Sequence, residues 1–309
     1  MNVLVTGGTG FVGRAMVAEL NRAGHTIHLL ARHAGSENIA SFAAKHSAQV
    51  RPGNILDPDS LTDACLGIDA VIHLVGIISE GGRQTYEAVH VEGTRNMIEA
   101  SHRAGVKRFV HMSGLGTRPN ARARYHQSKW AAEEIVRQSG LTSTIFRPSI
   151  VYGSGDGFVN LFAQIARRSP MVPIIGKGES KFQPIAVRNV ARAFVATLNE
   201  PRAENETFAL AGSEVLTLNE IVDAILRALK RKRLKFHLPV RVARIQAIIL
   251  EFLFGRLLHQ APPLNRDQIL MLQEDNIGNG KPADELFGLK HESFQSGITE
   301  YLGRCNRPR

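Results

Sequence analysis

The chain has 309 residues, 43% of them hydrophobic, which excludes a disordered chain and leaves room for one large α/β domain or a domain with an appendage. Its formal charge of +10 suits nucleic acid, an anionic membrane surface or an acidic protein, because a net field steers opposite charge, and does not choose among them. Cys65 and Cys305 are the only cysteines and lie far apart, which excludes a disulfide framework or a cysteine metal site and points to a reducing compartment.

"MN" runs straight into the apolar strand "VLVT", so no cleavable leader is expected and a cytoplasmic location is. No apolar run approaches the roughly 18 uninterrupted residues of a membrane span. The segment "NVLVTGG" predicts a short buried strand ending in glycines, and "FVGRAMVAELNRAG" a helix closed by Gly24. The alternation continues with strand "HTIHLLAR", a helix near 36–46, strand "AQVRPGN", a helix after "DPDS", strand "DAVIHLVG" and a long helix near 84–104. Strand "VKRFVHMS", the helix carrying "YHQSK" and strand "TSTIFRPSIV" complete it. Such a sequence predicts the α/β class, a doubly wound parallel sheet with helices on both faces. After Gly153, glycine and proline breaks in "GSGDGF", "RRSPMVPIIGKG" and "KFQPIAV" predict a smaller, irregular lobe over the C-terminal edge of the sheet. The expected division is a Rossmann domain over residues 1–153 and a partly interleaved C-terminal lobe over 154–309.

In "TGGTGFVG", Gly7, Gly10 and Gly13 join the first strand to the first helix at intervals of three. There glycine permits a tight turn, lets backbone N–H groups approach a pyrophosphate and allows close helix packing. Glycines of an ordinary turn are the alternative; the position inside repeated βαβ units favours a dinucleotide. The second strand ends "LLARH", placing Arg32 and His33 where an NAD-preferring site would hold an acid. A 2′-phosphate would meet a cation there, so NADP(H) is expected in preference to NAD(H). A solvated surface arginine is the plainer reading.

The loop spacing, "HLVG" on the fourth strand, "YHQSK" and "RPSIVYG" together resemble the short-chain dehydrogenase/reductase superfamily in its extended or atypical branch. "GTRNMIEA", "KRFVHMSGLG", "RPSIVYGSGDGFVNLFAQI", "KFQPIAVRNVARAF" and "LNRDQILMLQEDNI" look like the family of the Rossmann-fold, NADPH-binding accessory subunit of respiratory complex I and its free-standing bacterial relatives. The resemblance implies that Thr9, Gly10, Phe11, Val12 and Gly13 lie against the pyrophosphate, and Asn54 and Ile55 near adenine. It also implies that Leu74, Val75 and Gly76 line the ribose and nicotinamide side, with Pro148 and Ile150 near the nicotinamide.

Tyr125 and Lys129, at i and i+4, share a helix face and can reach one bound cofactor. An adjacent ammonium and a positive nicotinamide ring would favour the phenolate, making Tyr125 a general acid/base. The resemblance further implies that Lys129 holds the nicotinamide ribose and that a Ser or Thr just past the fifth strand bonds the substrate oxygen. Ser113 ends that strand, but Leu115 falls where extended enzymes place the hydroxyl, and His90 replaces an asparagine before "GT". Ser113 is therefore either the third catalytic residue or a strand-end hydroxyl satisfying backbone groups. No metal-ligand set is predicted.

From Leu238, "LPVRVARIQAIILEFLFGRLLH" carries apolar residues at helical spacing with Arg241, Arg244 and Arg256, after the basic run Lys230 to Lys235. It is a core helix behind a solvated charge run, or an interfacial helix on an anionic membrane or a membrane-associated partner. The second alternative would place the protein peripheral to the inner face of the membrane. Nucleic acid has only net charge in its favour. Three functions follow: an NADP(H)-binding protein whose cofactor is structural or sensory; an active reductase, epimerase or dehydratase on a carbonyl-bearing metabolite; or a basic interaction module without cofactor. Substrate and oligomeric state are left open.

Overall fold

Short apolar runs ended by glycines or polar turns become strands, and runs with apolar residues three and four apart become helices. A computed structural model describes residues 1–303, with only the backbone of Leu257; Cys305 lies outside the described residues. Its first half consists of β1 (Asn2–Thr6), α1 (Phe11–Arg22), β2 (Thr26–Ala31), α2 (Glu37–Lys45), β3 (Gln49–Pro52) and α3 (Asp59–Cys65). Then come β4 (Ala70–His73), α4 (Gly93–Arg103), β5 (Arg108–Met112), α5 (Arg124–Arg137) and β6 (Thr142–Pro148). The helix expected near 84–104 begins with a π-helical turn, Glu87–Glu92, before α4. Beyond β6 lie β7 (Val151–Tyr152), α6 (Val159–Arg168), β8 (Met171–Ile175), β9 (Lys181–Phe182), β10 (Ile185–Ala186) and α7 (Val187–Ala196). The remainder is β11 (Glu206–Leu210), β12 (Leu216–Thr217), α8 (Leu218–Ala228), β13 (Leu234–Leu238), α9 (Val240–Leu250), α10 (Arg266–Leu272), α11 (Lys281–Phe287) and α12 (Phe294–Leu302).

The main sheet has seven parallel strands in the order β11-β6-β5-β4-β1-β2-β3. The seventh, β11, comes from beyond residue 153 and pairs with β6. Because successive β1 residues point to opposite faces, Val3 and Val5 join Met16, Leu20, Phe146 and Phe194 on one side of the sheet, while Leu4 joins Leu61, Met97 and Phe109 on the other. A separate core of Phe162, Ile174, Ile221, Ile225, Phe294 and Ile298 supports the second lobe. The chain order reverses between β1 and β4, so a crevice opens at their carboxyl ends, where open α/β sheets bind ligands.

The helix at Leu238 is not a core helix. In α9 only Ala243 and Ala247 are buried, and they pack with Ile269 of α10; Val240 packs partly against them, while Val242, Ile245, Ile248 and Ile249 are exposed. Among the described residues, no helix is long and apolar enough to cross a membrane.

Candidate functional site

The loop between β1 and α1 is shaped by two glycines that a larger residue could not replace. Gly7 has φ +73° and its carbonyl accepts from Gly10 N at 3.0 Å, closing the turn. A Cβ on Gly13 would lie 2.1 Å from Gly7 O, so the first turn of α1 rests directly on loop backbone. No side chain caps α1 and no acid stands in its first turn. The amides of Phe11, Val12 and Gly13 therefore form the positive end of a twelve-residue helix dipole. Thr9 O accepts from Arg14 Nε at 3.0 Å, and the Phe11 ring stands 3.4 Å from where a Cβ on Gly153 would sit. The cradle fits a diphosphate in charge and in closeness of backbone approach.

Arg32 and His33 follow β2 directly, both exposed, with no acid between Leu29 and Ser36. Asn54 uses its side-chain oxygen to accept from Leu56 N at 3.2 Å, so this acceptor is already engaged by its own loop. Ile55 is buried and its carbonyl accepts from Asn96 Nδ2 at 2.8 Å. Leu74 and Val75 are half-buried beside the glycine loop, where a Cβ on Gly7 would lie 3.4 Å from both; Gly76 is exposed. Pro148 is buried, with its carbonyl accepting from Leu115 N at 2.8 Å, and Ile150 is half-buried.

α5 brings Tyr125 and Lys129 to the carboxyl ends of β4 and β5. Lys129 is buried and its Nζ donates to Met112 O at 2.9 Å. Burial lowers its ammonium pKa to about 8, partly offset by Glu133 one turn on. Glu133 is itself fully buried and held by Arg147 through two hydrogen bonds, at 2.8 and 2.6 Å. Burial pushes the Tyr125 phenol up to about 12, so in the protein alone it is a neutral donor. The lowering expected from a neighbouring ammonium does not appear, because desolvation dominates.

Past β5 the chain departs from a serine–tyrosine–lysine arrangement in one place and restores a hydroxyl in another. Leu115 is buried: its side chain packs against Gly278 and its carbonyl accepts from Asn276 Nδ2 at 2.7 Å. Ser113 is also buried and donates to Thr117 Oγ1 at 3.4 Å; Thr117 in turn lies 3.5 Å from His126 Nδ1. A Cβ built on Gly114 would lie 3.5 Å from Tyr125 OH and 4.0 Å from Thr117 Oγ1, so both hydroxyls flank this glycine. Thr117 carries no motif that would single it out in the sequence and is brought in by the turn after β5, where it meets His126 of α5.

His90 was legible only as a replaced asparagine, yet it ties the site together. Ile77 N donates to its Nε2 at 3.0 Å, which leaves the proton on Nδ1 to donate to Ser128 Oγ at 2.8 Å. Ser128 Oγ donates to Tyr125 O at 2.8 Å. Burial and the Lys129 charge hold His90 neutral, with a pKa near 2. The same causes lower His73 to about 3 and hold His111 well below the ordinary range. His73 and His111 stack with ring centroids 5.6 Å apart.

A cavity of about 430 Å³ is lined by Tyr86, Arg122, Arg124, Arg244, Asn265 and Arg266 among others. The Tyr86 ring meets Tyr125 edge-on, with centroids 6.0 Å apart.

A parallel sheet with a glycine cradle at its switch point and a Tyr–x–x–x–Lys helix beside it defines a dinucleotide-binding α/β protein of the short-chain dehydrogenase/reductase type. Residues 3–211 match the NAD dependent epimerase/dehydratase family, and the chain belongs to that family as an NAD(P)-binding member. It is 29% identical over 282 residues to "NADH dehydrogenase [ubiquinone] 1 alpha subcomplex subunit 9, mitochondrial" of Arabidopsis thaliana, covering 88% of this chain and 70% of the relative. It is 31% identical to the ceramide reductase of Caulobacter vibrioides over 64% of this chain and 61% of that protein. To the photosystem II assembly factor Ycf39 of Synechocystis it is 28% identical over 98% and 91%. The chain thus spans less than two thirds of the ceramide reductase, and likewise 64% of the mouse subunit 9. In fold it is similar to the dTDP-glucose 4,6-dehydratase of Streptomyces venezuelae solved with NAD bound, with a TM-score of 0.76, 21% identity and coverage of 99% and 98%. The UDP-glucuronic acid 4-epimerase of Bacillus cereus, solved with UDP-glucuronic acid and NAD, gives 0.75, 19%, 99% and 100%.

Proposed function

We propose that this protein binds NADP(H) in preference to NAD(H), and that the cofactor has a structural or sensory role. The observation that carries this is the acid-free tip of β2, where Arg32 and His33 stand exposed beside the uncapped N-terminus of α1. A carboxylate there would repel a 2′-phosphate, whereas a guanidinium donates charge-assisted hydrogen bonds to it. The amides after Thr9 and Gly10 hold the diphosphate, and Asn54 and Ile55 border the adenine. Leu74, Val75, Gly76, Pro148 and Ile150 border the nicotinamide half, and Lys129 binds its ribose. When bound, the cofactor supplies reversible hydride transfer at its nicotinamide ring. The structural role is supported by Leu115, which fills with hydrocarbon the position expected to present a hydroxyl, and by the likeness to a respiratory-chain subunit. A cytoplasmic location belongs to the same reading.

Mass spectrometry of the supernatant from denatured, freshly purified protein tests the binding. NADP(H) is expected; NAD(H) would remove the preference, and no nucleotide together with no calorimetric binding would leave a basic module without cofactor. Reduction of a carbonyl or quinone-like compound at ordinary enzymatic rates would overturn the structural role.

One observation favours a second reading, an active reductase, epimerase or dehydratase on a carbonyl-bearing metabolite. Tyr125 OH and Thr117 Oγ1 flank the same glycine, with Ser113 bonded to Thr117. In this reading Tyr125 gives or takes the proton, Lys129 orients it, and Ser113 or Thr117 bonds the substrate oxygen. Tyr125→Phe should then abolish turnover with cofactor binding retained; equal activity in the variant would remove the role.

A further inference from the structure

α9 is packed inside out. Its narrow face, Ala243 and Ala247, is buried, while Val242, Ile245, Ile248 and Ile249 are exposed at 49, 60, 49 and 53%. Phe252 and Leu253, in the π-helical continuation Glu251–Leu257, are exposed at 55 and 41%. Val242, Ile245, Ile249 and Phe252 recur at three- and four-residue steps and so project along one outward face. A helix whose two fully buried residues are alanines leaves several large apolar side chains in water, a cost of hydration that folding alone does not explain.

The charges around this face point to what covers it. From Ala224 to Leu250 there is no Asp or Glu, whereas Arg227, Lys230, Arg231, Lys232, Arg233, Lys235, Arg241 and Arg244 fall in that span. Three of these have partners: Lys235 donates to Asp223 at 2.8 Å, Arg227 to Gln295 at 2.9 Å, and Arg233 to Ala166 O at 2.8 Å. Arg241 is exposed on the flank of the apolar stripe, where its long aliphatic stem can lie along hydrocarbon while the guanidinium reaches a phosphate. Exposed Leu234 and Phe236 on the preceding strand alternate with Lys235. Glu251, the acid of the π-helical continuation, is paired with Arg266 at 2.7 Å, so the charges bordering the stripe are predominantly cationic, which matches the boundary between acyl chains and anionic headgroups.

We propose that the outward face of α9 and its π-helical continuation seats in the interface of an anionic membrane, making the protein peripheral rather than spanning. Val242, Ile245, Ile249 and Phe252 enter the acyl boundary, and the basic residues contact lipid phosphates. Two elements are required, apolar area and cationic charge, and neither alone gives firm attachment.

The test is flotation of the full chain with vesicles of pure phosphatidylcholine and of phosphatidylcholine mixed equally with phosphatidylglycerol. Binding is expected to the mixed vesicles, weakened by raised salt. Ile245→Glu with Ile249→Glu should lower partitioning about tenfold or more. Arg241→Glu and Lys232→Glu should each lower it about fivefold. The thermal shift produced by NADPH should be unchanged in every variant, which separates loss of this surface from loss of the fold or of the cofactor site. Equal binding to both vesicle types, or full binding by the double glutamate variant, would overturn the proposal. So would a wild-type protein that ignores vesicles but forms a dimer that the double glutamate variant abolishes, since the face would then pair with protein.

Discussion

The ammonium of Lys129 occupies the space a side chain at position 76 would need: a Cβ on Gly76 would lie 3.1 Å from Nζ and 3.4 Å from His90 Nε2. The glycine after β4 is thus matched to a lysine on α5, and the match depends on Nζ being drawn inward to Met112 O. Gly76→Ala should displace Nζ without disturbing backbone, because the nearest atom ends a flexible chain. The expected result is a tenfold weaker NADPH affinity by calorimetry, about the loss of one charge-assisted hydrogen bond. The melting temperature should fall by only a few degrees. Unchanged affinity would show that Lys129 does not touch the cofactor.

Gly13→Ala poses a different problem, since the obstacle is backbone. Gly7 O at 2.1 Å and Gly8 Cα at 2.6 Å cannot rotate away, so α1 must lift from the loop. Overpacking of this kind costs about 1–3 kcal/mol, and the diphosphate cradle is lost with it. Gly13→Ala should melt several degrees lower and show no NADPH-dependent thermal shift. Gly24→Ala is the control: no atom lies within 4 Å, but φ is +74°, so it should lose stability and keep binding.

The sheet was legible because β1 to β6 each carry their own apolar run and turn, and because glycines at 7, 10 and 13 serve a purpose local to one strand–helix junction. What depended on distant contacts was not. Leu115 could be seen as a departure, but not that Gly278 and Asn276 hold it in place, 161 residues away for the hydrogen bond. Thr117 enters through the conformation of a turn, and turn residues carry no periodicity. The apolar spacing of α9 predicts a one-sided helix equally well for either direction, since periodicity reports a face and not what it meets. Only the burial of Ala243 and Ala247 decided the side.

Arg32 provides the test of cofactor preference. It is exposed and sits on a strand end, so its replacement should leave the fold intact. Arg32→Asp exchanges a donor for a repelling carboxylate that can accept from a ribose 2′-OH. NADPH affinity should drop by ten- to a hundredfold, about 1.5–3 kcal/mol, while NADH affinity holds or improves. A parallel loss of both would mean that Arg32 supports the loop rather than the phosphate.

The buried histidines set an acid limit on the protein. His73 and His90 have pKa values near 3 and 2, and His111 lies well below 6.5, all through burial beside Lys129. In the unfolded chain each titrates near 6.5. Between those values the unfolded state binds more protons than the native state, so stability is full above pH 6.5 and falls as pH drops below it. Each histidine contributes a slope approaching about 1.4 kcal/mol per pH unit. The three act in the same direction, and His126, lowered to about 4 by burial, adds to them, so the decline between pH 7 and 5 is steeper than one histidine alone would give. Lys129 acts at the other end: its pKa of about 8 against an ordinary 10.5 means that stability rises with pH between those values. Urea unfolding at pH 7, 6 and 5 should show the acid decline, and His90→Asn should flatten it by one histidine's share. A midpoint independent of pH across that range would mean the three rings are not held neutral, and the charge balance around Lys129 would have to be redrawn.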